Sequence, residues 1–272
     1  TGVTLVDLND LSLGTINSPG PISATAGGNL TVGNSIVTNT ALALTAAGNL
    51  GIDGAITTNG AALNMLAGGN LTVATTGRIA AGAISTTSNG RSTLRNIGAS
   101  SLQVLDASEV GFASGLTAVS GALEIVSRGI VVNDPGSTLT VGGFTRIRAD
   151  NGLVSLDSGS NDFTGAVEVK ARDAVTLHDV NDLTVSATNA GGSIALKAGG
   201  SVAVDNSLVS RGGGVDVLAN GNIDVADDSD VQAGQPGISL TADADNNGSG
   251  GVDIGRSELK APTAVRVLAG QD

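Results

Sequence analysis

The stretch AGGNLTV occupies residues 26–32 and recurs, letter for letter, at residues 67–73. A looser copy, AAGNLGI, lies between them at residues 46–52, so the repeat is about half of the 41-residue separation. Related stretches follow at residues 198–204 (AGGSVAV) and 219–225 (ANGNIDV). Self-similarity at a period of about 20–50 residues is typical of repeat architectures, in which each unit packs mainly on its neighbours.

Pairs of alternating, mostly apolar residues precede the Ala- and Gly-rich turns at nearly regular steps. Most steps lie within two residues of 21. Each unit has a second pair about eight residues after the first, such as Leu50/Ile52, and many have a third apolar position, such as Ile56. Thirteen first pairs begin at Val3, Ile22, Leu42, Leu63, Ile84, Leu102, Leu123, Thr145, Val167, Ile194, Val215, Ile238 and Val265.

Within each segment the apolar pattern has a period of two, as in LTV, LAL and VEV, which predicts strands. Three short strands per unit predict an all-β fold, a parallel β-solenoid with three faces and about 13 coils of ~21 residues. Inward side chains should form ladders of like on like, with Leu30, Leu50 and Leu71 in one of them. We expect a single β-helix repeat domain over residues 1–272. Because the chain opens with Thr1, we also expect it to be a fragment of a longer chain.

Two longer steps, of 27 residues, predict inserted loops. One should lie near residues 186–193, after the third strand of its unit. The other should lie at residues 242–251, within the run ADADNNGSGG. Insertions in solenoids project as loops from one face and are common places for binding.

Composition excludes several classes of protein. The chain has 13 basic and 25 acidic residues and a net charge of −12, which disfavours nucleic-acid binding. It has no Cys, so disulfides and thiolate metal sites are absent. Gly, Asn, Asp and Thr interrupt every apolar run well short of ~20 residues, so a membrane-spanning helix is not expected. Hydrophobic residues still make up 40% of the chain, which argues against disorder.

The repeat units resemble the coils of bacterial filamentous-haemagglutinin-type exoproteins, the secreted adhesins of two-partner secretion and related giant β-helical surface proteins. The resemblance is one of texture and covers essentially the whole chain. It rests on TAGGNLTVGNSIVT, LTAAGNLGIDGAITTNG, LAGGNLTVATTGRI, and the echo between TLVDLNDLSLGTI at 4–16 and TLHDVNDLTVSAT at 176–188.

The resemblance implies a right-handed β-helix, secretion to the bacterial cell surface, and an outer-membrane secretion partner. Nothing in the chain resembles the amino-terminal secretion domain of that family, so a shaft segment is expected. Its neighbours would be further coils, of the same chain or of subunits stacked end to end. The receptor, whether a host or cell-surface protein or a glycan, is left open.

One motif suggests a metal. Asp243, Asp245 and Asn247 alternate before Gly248, and Asp253 follows, as in the first half of a calcium loop. The twelfth position of an EF-hand falls on Ile254, and no flanking helices are expected. A solvated Asx/Gly turn explains the same letters, so Ca²⁺ is a candidate ligand and no other cofactor is expected.

The remaining polar residues suggest no catalytic site. The acid run Asp227, Asp228 and Asp230 is interpreted as a solvated corner. His178 is the only histidine, interpreted as an exposed strand or turn residue without a partner. No GxSxG, GxGxxG or HExxH motif occurs. We therefore expect a structural rod or stalk segment of a secreted adhesin or surface filament, and no enzyme.

The alternative is a β-helical lyase or glycoside hydrolase acting on polysaccharides. Such enzymes need carboxylates, or Ca²⁺ with a basic residue, clustered on one face over several coils. Here the 25 acidic residues are dispersed at turns, and three Phe are the only aromatic residues available for sugar stacking.

Overall fold

The computed structural model describes residues 2–270, and none of these residues is helical. The first seventeen strands are β1 (Val3–Asp7), β2 (Leu11–Leu13), β3 (Ile16–Ser18), β4 (Ile22–Ala26), β5 (Leu30–Val32), β6 (Ile36–Thr38), β7 (Leu42–Ala46), β8 (Leu50–Ile52), β9 (Ala55–Thr57), β10 (Leu63–Ala67), β11 (Leu71–Val73), β12 (Arg78–Ser88), β13 (Arg91–Leu94), β14 (Ile97–Ala107), β15 (Glu109–Phe112), β16 (Gly115–Val119) and β17 (Leu123–Ser127).

The strands that follow are equally short. They are β18 (Val131–Asn133), β19 (Ser137–Val141), β20 (Thr145–Ala149), β21 (Val154–Leu156), β22 (Asp162–Phe163), β23 (Val167–Ala171), β24 (Val175–Asp179), β25 (Leu183–Ala190), β26 (Ile194–Ala198), β27 (Val202–Ser210), β28 (Val215–Ala219), β29 (Ile223–Val225), β30 (Asp230–Gln232), β31 (Ile238–Thr241), β32 (Val252–Ile254), β33 (Glu258–Lys260) and β34 (Val265–Leu268).

Backbone contacts divide the chain into two compact units. The first unit comprises residues 2–129 and 134–142, and the second comprises residues 130–133 and 143–270. Each unit is described in turn. The expectation of one repeat domain over residues 1–272 stays a prediction.

The first unit contains three parallel ladders of strands. The first ladder runs β1-β4-β7-β10-β12-β14-β17. The middle ladder runs β2-β5-β8-β11-β13-β15. The third runs β3-β6-β9-β12-β14-β16-β19. Strands β12 and β14 belong to two ladders because each continues around a corner.

The second unit has the same arrangement. Its first ladder runs β20-β23-β25-β27-β30-β33. Its middle ladder runs β18-β21-β24-β26-β28-β31-β34. Strands β25, β27, β29 and β32 form the third. The predicted parallel β-solenoid with three strands per coil is confirmed, and the right-handed sense stays a prediction.

The number of turns is close to the expectation. A turn can be counted from one middle-ladder strand to the strand that pairs with it. Six such strands in the first unit define five turns, and seven in the second define six. About eleven turns are thus defined within the two units, against thirteen coils expected.

The interior consists of the aliphatic ladders that the period predicts. Leu30, Leu50 and Leu71 are paired in register and fully buried. Alternation directs every second residue of a strand inward, so apolar residues repeat at the same place in each coil. Two rings are also accommodated, because Phe112 and Phe163 are the largest buried side chains.

One predicted insertion is wrong. Residues 186–193 are not an inserted loop, because β25 extends to Ala190 and pairs with β23 through Glu168↔Ala187 and Ala171↔Ala190. The long step arose because the pair at Ile194 belongs to the middle ladder, where it stacks on Val175. The pair at Val167 belongs to the first ladder. The 27-residue step therefore joins pairs in two different ladders, and no residues are inserted between them.

The other predicted insertion, at residues 242–251, lies between two strands. Strand β31 ends at Thr241 and β32 begins at Val252, so residues 242–251 connect them without a strand. One turn earlier, β28 ends at Ala219 and β29 begins at Ile223, a much shorter connection at the same corner. The segment ADADNNGSGG is therefore extra chain added to a regular coil.

The asparagine of the AGGNLTV motif has a structural role at the corner before the middle ladder. The Asn29 side-chain carbonyl accepts a hydrogen bond from the backbone N–H of Asn49 at 2.8 Å. The Asn49 side chain does the same for Asn70 at 2.8 Å, and that of Asn70 for Arg91 at 2.9 Å. Each coil thus caps a backbone donor of the next coil, and we call this column the amide ladder.

The glycine before each asparagine follows from the same geometry. A Cβ atom on Gly48 would lie 2.7 Å from Asn29 Oδ1, and one on Gly69 would lie 2.5 Å from Asn49 Oδ1. Real Cβ atoms do not approach so closely. In the recurring Gly-Asn dipeptide, the asparagine side chain accepts a hydrogen bond from the next coil. The glycine leaves room for the asparagine side chain of the preceding coil.

The motif Asp-x-Asn-Asp begins such a ladder in each unit. At residues 7–10, Asp7 Oδ1 accepts from Asn9 N at 2.8 Å and Asp10 Oδ1 accepts from Asn29 N at 2.6 Å. At residues 179–182, the two Asp side chains accept equivalent bonds from Asn181 N and Ser201 N, each at 2.7 Å. The echo between residues 4–16 and 176–188 therefore marks the first rung of two columns at different corners: Leu11, after Asp10, lies in the middle ladder, and Leu183, after Asp182, lies in the third.

We expect Leu50→Asp to lower the free energy of unfolding by several kcal/mol, because it places an unpaired carboxylate in the core. Thr72→Asp, at an exposed position of the neighbouring strand β11, should cost no more than about 1 kcal/mol. Chemical denaturation of the two variants measures the difference. Equal losses would contradict the assigned inward and outward faces.

The amide ladder predicts a non-additive double mutant. Asn49→Ala removes the acceptor for Asn70 N and should cost roughly 1 kcal/mol. Gly69→Ala should cost about 1–3 kcal/mol, because its Cβ would overlap Asn49 Oδ1. In the double variant that overlap is absent, so the combined loss should be smaller than the sum.

Denaturation curves of the four proteins in this cycle give the coupling energy. Gly51→Ala is the matched control, because its added Cβ would meet only ordinary contacts at 3.8 Å and beyond. Strictly additive losses would show that the Gly-Asn dipeptide has a different origin.

Candidate functional sites

The predicted calcium loop is closed by its own backbone. Asp243 is buried, and its Oδ1 and Oδ2 atoms accept from Asn247 N at 2.9 Å and Gly248 N at 3.2 Å. Asp245 Oδ2 accepts from the Asn247 side-chain amide at 2.9 Å. The Asp243 carboxylate thus occupies N–H groups four and five residues further along the loop. Asn247 N also donates to Asp245 Oδ1 at 3.4 Å, which is the two-residue spacing of an Asx turn.

The four predicted calcium ligands lie on two different elements. Asp253 lies on β32, where it stacks on Asp224, while Asp243 and Asp245 lie in the inserted loop. Within residues 2–270 no three His, Cys, Asp or Glu side chains come together as a metal-binding group. The alternating spacing is local, whereas a calcium site needs oxygens that converge from all sides.

The acid run at residues 227–230 forms a hydrogen-bonded corner. Asp227 Oδ1 accepts from Arg256 N at 2.8 Å, and its Oδ2 lies 3.1 Å from Arg256 Nη2. Asp228 adopts a positive φ of 61° in the tight turn. Asp230 Oδ2 accepts from Gln232 Nε2. The interpretation as a corner is confirmed, and Asp227 acts as a further cap between successive coils.

His178 lies in the strand β24, as expected, but it is not exposed. Only 16% of its side chain is accessible, and its Nδ1 lies 4.0 Å from Asp157 Oδ1. The ring lies over Gly159, where a Cβ would come within 3.1 Å of Cε1. A carboxylate partner that the sequence analysis did not name therefore lies beside the histidine.

Asp179, the next residue, points to the opposite side of β24 and is fully buried. Its Oδ2 accepts from Phe163 N at 2.7 Å, and its Oδ1 from Asn181 N at 2.7 Å. Burial raises the pKa of this carboxyl from 3.8 to about 6; the two backbone hydrogen bonds lower it, and the charges of Asp162 and Asp182 raise it further.

A buried amide, that of Asn161, lies close to the buried carboxyl of Asp179. Asn161 is fully buried, donates from Nδ2 to the Leu156 carbonyl at 3.0 Å, and accepts from Asn133 Nδ2 at 2.9 Å. The backbone N–H of Val180 donates to the carbonyl of Asn161 at 2.8 Å. These bonds stabilise the corner around β22 and β24, where β22 is only two residues long.

The two carboxylates near His178 do not combine into a catalytic group. Successive residues of a strand face opposite sides, so Asp179 lies in the core while His178 and Asp157 lie on the outer surface. The His178–Asp157 separation is also longer than a direct hydrogen bond. The arrangement supplies a surface ion pair whenever the histidine is protonated, and a buried structural carboxyl on the other side.

The repeat pattern of the sequence indicates the positions of both Asp157 and Asp179. Asp157 precedes His178 by 21 residues, one repeat length, which places the two side by side in successive coils. Asp179 stacks on Ala198, and Ala198 stacks on Ala219, so an acid occupies a corner where the next two coils have a buried alanine. Aligning the repeats by column would have shown both.

A family of known repeats matches part of the chain. The family described as "Repeats of unknown function (DUF5649)" matches residues 99–170, about a quarter of the chain. Over these residues the chain is similar to that repeat family. The matched segment runs from within β14 to within β23, so it consists of the same coils as the rest.

No curated protein and no solved structure matches the chain. Across the residues that the structure describes, no helix has the length and apolar character needed to cross a membrane. The comparisons therefore support a repeat protein, and they assign no activity to it.

The raised pKa of Asp179 predicts a pH-dependent stability. The folded protein holds this proton more tightly than the unfolded chain, so the contribution is complete below pH 3.8 and is lost as the pH rises through about 6. Relative to Asp179→Asn, which stays neutral, the wild type should lose at most about 3 kcal/mol across this interval.

Denaturation of both proteins at several pH values between 3.5 and 8 measures this difference. It should fall between pH 4 and about 6.5 and stay level above that. Carboxyl NMR of Asp179 gives the titration directly. A level difference over the whole interval, or a midpoint near the ordinary 3.8, would contradict burial as the dominant influence.

Proposed function

We propose that this protein is a structural rod or stalk segment of a secreted bacterial adhesin or surface filament, which holds a binding element away from the cell. The observation that carries the proposal is the unbroken stacking of coils within each unit, with parallel ladders on three faces. The match of residues 99–170 to a family of repeats agrees with a structural role.

Parallel coils suit a mechanical spacer. Every strand inside a ladder bonds through its backbone to the coils on both sides, so resistance to extension does not depend on particular side chains. The amide ladder adds a rung per coil at the corner that precedes the middle ladder. A net charge of −12 would keep such a segment soluble and discourage sheet edges from pairing with other molecules.

A catalytic role is not part of the proposal. The acids that the sequence analysis considered serve as caps and turn acceptors: Asp227 bonds to Arg256, and Asp243 to the amides of its own loop. His178 has a single carboxylate neighbour at 4.0 Å. No reproducible release of sugar from polysaccharides is therefore expected.

Export and partners belong to the same proposal. Absence of cysteine suits passage through a secretion pore in an unfolded state, because no disulfide can form beforehand. The resemblance to filamentous-haemagglutinin-type exoproteins supports an outer-membrane secretion partner and a place at the cell surface. End-to-end contact with further coils would extend the rod. A receptor would bind outside these coils or at the inserted loop, residues 242–251.

The chain offers a seamless test. Deleting residues 30–70 joins Asn29 to Leu71 and restores AGGNLTV at the junction. Two whole coils are removed, because Leu30, Leu50 and Leu71 occupy one column. In the full-length protein, this variant should fold, reach the cell surface and bind its partner, while the distance spanned becomes about 10 Å shorter.

A deletion of residues 32–71 is the matched control. It joins Thr31 to Thr72 and leaves one extra residue inside strand β5, which turns Val73 to the opposite face of that strand. This variant should fail to fold. If the seamless deletion folds and is exported but loses partner binding, these coils carry the binding site themselves and the spacer proposal is wrong.

A further inference from the structure

Two adjoining recesses on the second unit form a groove that crosses several coils. The first, of about 210 Å³, is lined by Lys170, Arg172 and Gly191, among others, and ends at Arg211. The second, of about 520 Å³, begins at Arg211 and continues past Gln232 to Lys260. Because Arg211 lines both, they form one groove along the stacked strands. We call it the basic groove.

The groove is positive in a negative protein. Its charged lining residues are Lys170, Arg172, Arg211 and Lys260, against Asp150 alone, whereas the whole chain has a net charge of −12. The Asp150 carboxylate is already matched, because its Oδ1 lies 2.5 Å from Arg148 Nε. Local charge of this kind attracts anions regardless of the net charge of the protein.

Most of these cations have no carboxylate partner. Arg172 donates to the Asn151 side chain at 3.2 Å and Arg211 to that of Asn189 at 2.5 Å, and neither amide carries charge. Lys260 pairs with Glu258 at 2.6 Å. Among residues 2–270, Lys170, Arg172 and Arg211 form no ion pair. Two guanidinium groups are thus oriented by neutral amides and retain donors for a bidentate anion.

One column of side chains in the groove begins and ends with a lysine and has the apolar Val209 at its centre. Lys170 stacks on Asn189, Asn189 on Val209, Val209 on Gln232 and Gln232 on Lys260. Four steps separate the two lysines, roughly 19 Å at ~4.8 Å per coil. Amides with both donors and acceptors thus lie between the cations. A linear ligand along this column would meet a lysine at each end and an amide beside each lysine.

We propose that the basic groove binds a linear polysaccharide that carries carboxylates, such as a polyuronate. The Arg forks match the planar carboxylates, and the amides match the hydroxyl groups. A single-stranded nucleic acid fits less well, because no aromatic residue lines either recess to stack on a base. This inference goes beyond the spacer role and does not depend on it.

The test measures binding of oligogalacturonate to the full chain by calorimetry, in low salt with EDTA to exclude bridging cations. Arg172→Gln/Arg211→Gln should weaken binding at least ten-fold. Lys197→Gln/Arg266→Gln is the matched control: it removes two charges from exposed positions of the middle ladder and should bind like the wild type. Raising the salt to 0.5 M should weaken wild-type binding, since the contacts are between charges on the surface.

Three results would overturn the proposal. The first is no detectable binding of oligogalacturonate to the wild type at low salt. The second is equal weakening in both double variants, which would indicate a general charge effect. The third is stronger binding of single-stranded DNA or dextran sulfate of similar length, which would assign the groove to phosphate or sulfate chemistry. Neutral dextran, which lacks carboxylates, should not bind.

Discussion

The hydrogen bond that one coil donates to the next constrains everything else in this structure. A strand three residues long cannot satisfy its own N–H and C=O groups, so each must lie level with a partner one turn earlier and one turn later. This requirement makes the repeat length nearly constant and the strands parallel. It also keeps inward-facing residues stacked on inward-facing residues, and outward-facing residues on outward-facing ones, from coil to coil. Added residues are tolerated only where the backbone leaves the ladder, as at residues 242–251.

The corners show how side chains serve the same requirement. Between ladders the backbone turns, and its donors point along the stacking direction without a strand to receive them. Asn29 and Asn49 supply that acceptor, while Asp10 and Asp182 supply it where a column begins. The space for the acceptor comes from glycine in the following coil, as at Gly48 and Gly69. A seven-letter motif thus encodes a turn, a cap and a strand together.

The sequence allowed the fold to be predicted in some detail, because the inward column Leu30, Leu50 and Leu71 repeats with little variation. It did not reveal which face a given strand occupies. The segments at Val167 and Ile194 have the same alternation, yet they belong to different ladders. Alternation reports only that a strand is half-buried. The number of residues at each corner decides which ladder a strand joins. Strand β25 continues around a corner and so belongs to two ladders.

The candidate sites show a similar limit. Spacing along the chain suggested that Asp243 and Asp253 could meet, but the first closes its own loop and the second lies in a strand. By contrast, His178 and Asp157 are neighbours although 21 residues separate them, because that is one turn. In a solenoid the near neighbours of a residue are those one repeat away. The basic groove follows from the same relation between neighbours. Lys170 and Lys260 are far apart in sequence, but they belong to one column of stacked residues.

The amide ladder also bears on how the molecule ages. An exposed asparagine loses ammonia when the backbone nitrogen of the next residue attacks its side-chain carbonyl. In this ladder the attacking nitrogen is held elsewhere, because Leu30 N donates to the Asn49 carbonyl at 2.9 Å and Leu50 N to that of Asn70 at 2.9 Å. The side-chain carbonyl is held by the coil above. Both reacting atoms are therefore restrained. Where the reaction does occur, the cyclic imide opens to isoaspartate or to aspartate, and Asp10 shows that an aspartate carboxylate makes the same rung. An aspartate formed in this way adds negative charge to the column while keeping its hydrogen bond, whereas isoaspartate lengthens the backbone at the corner.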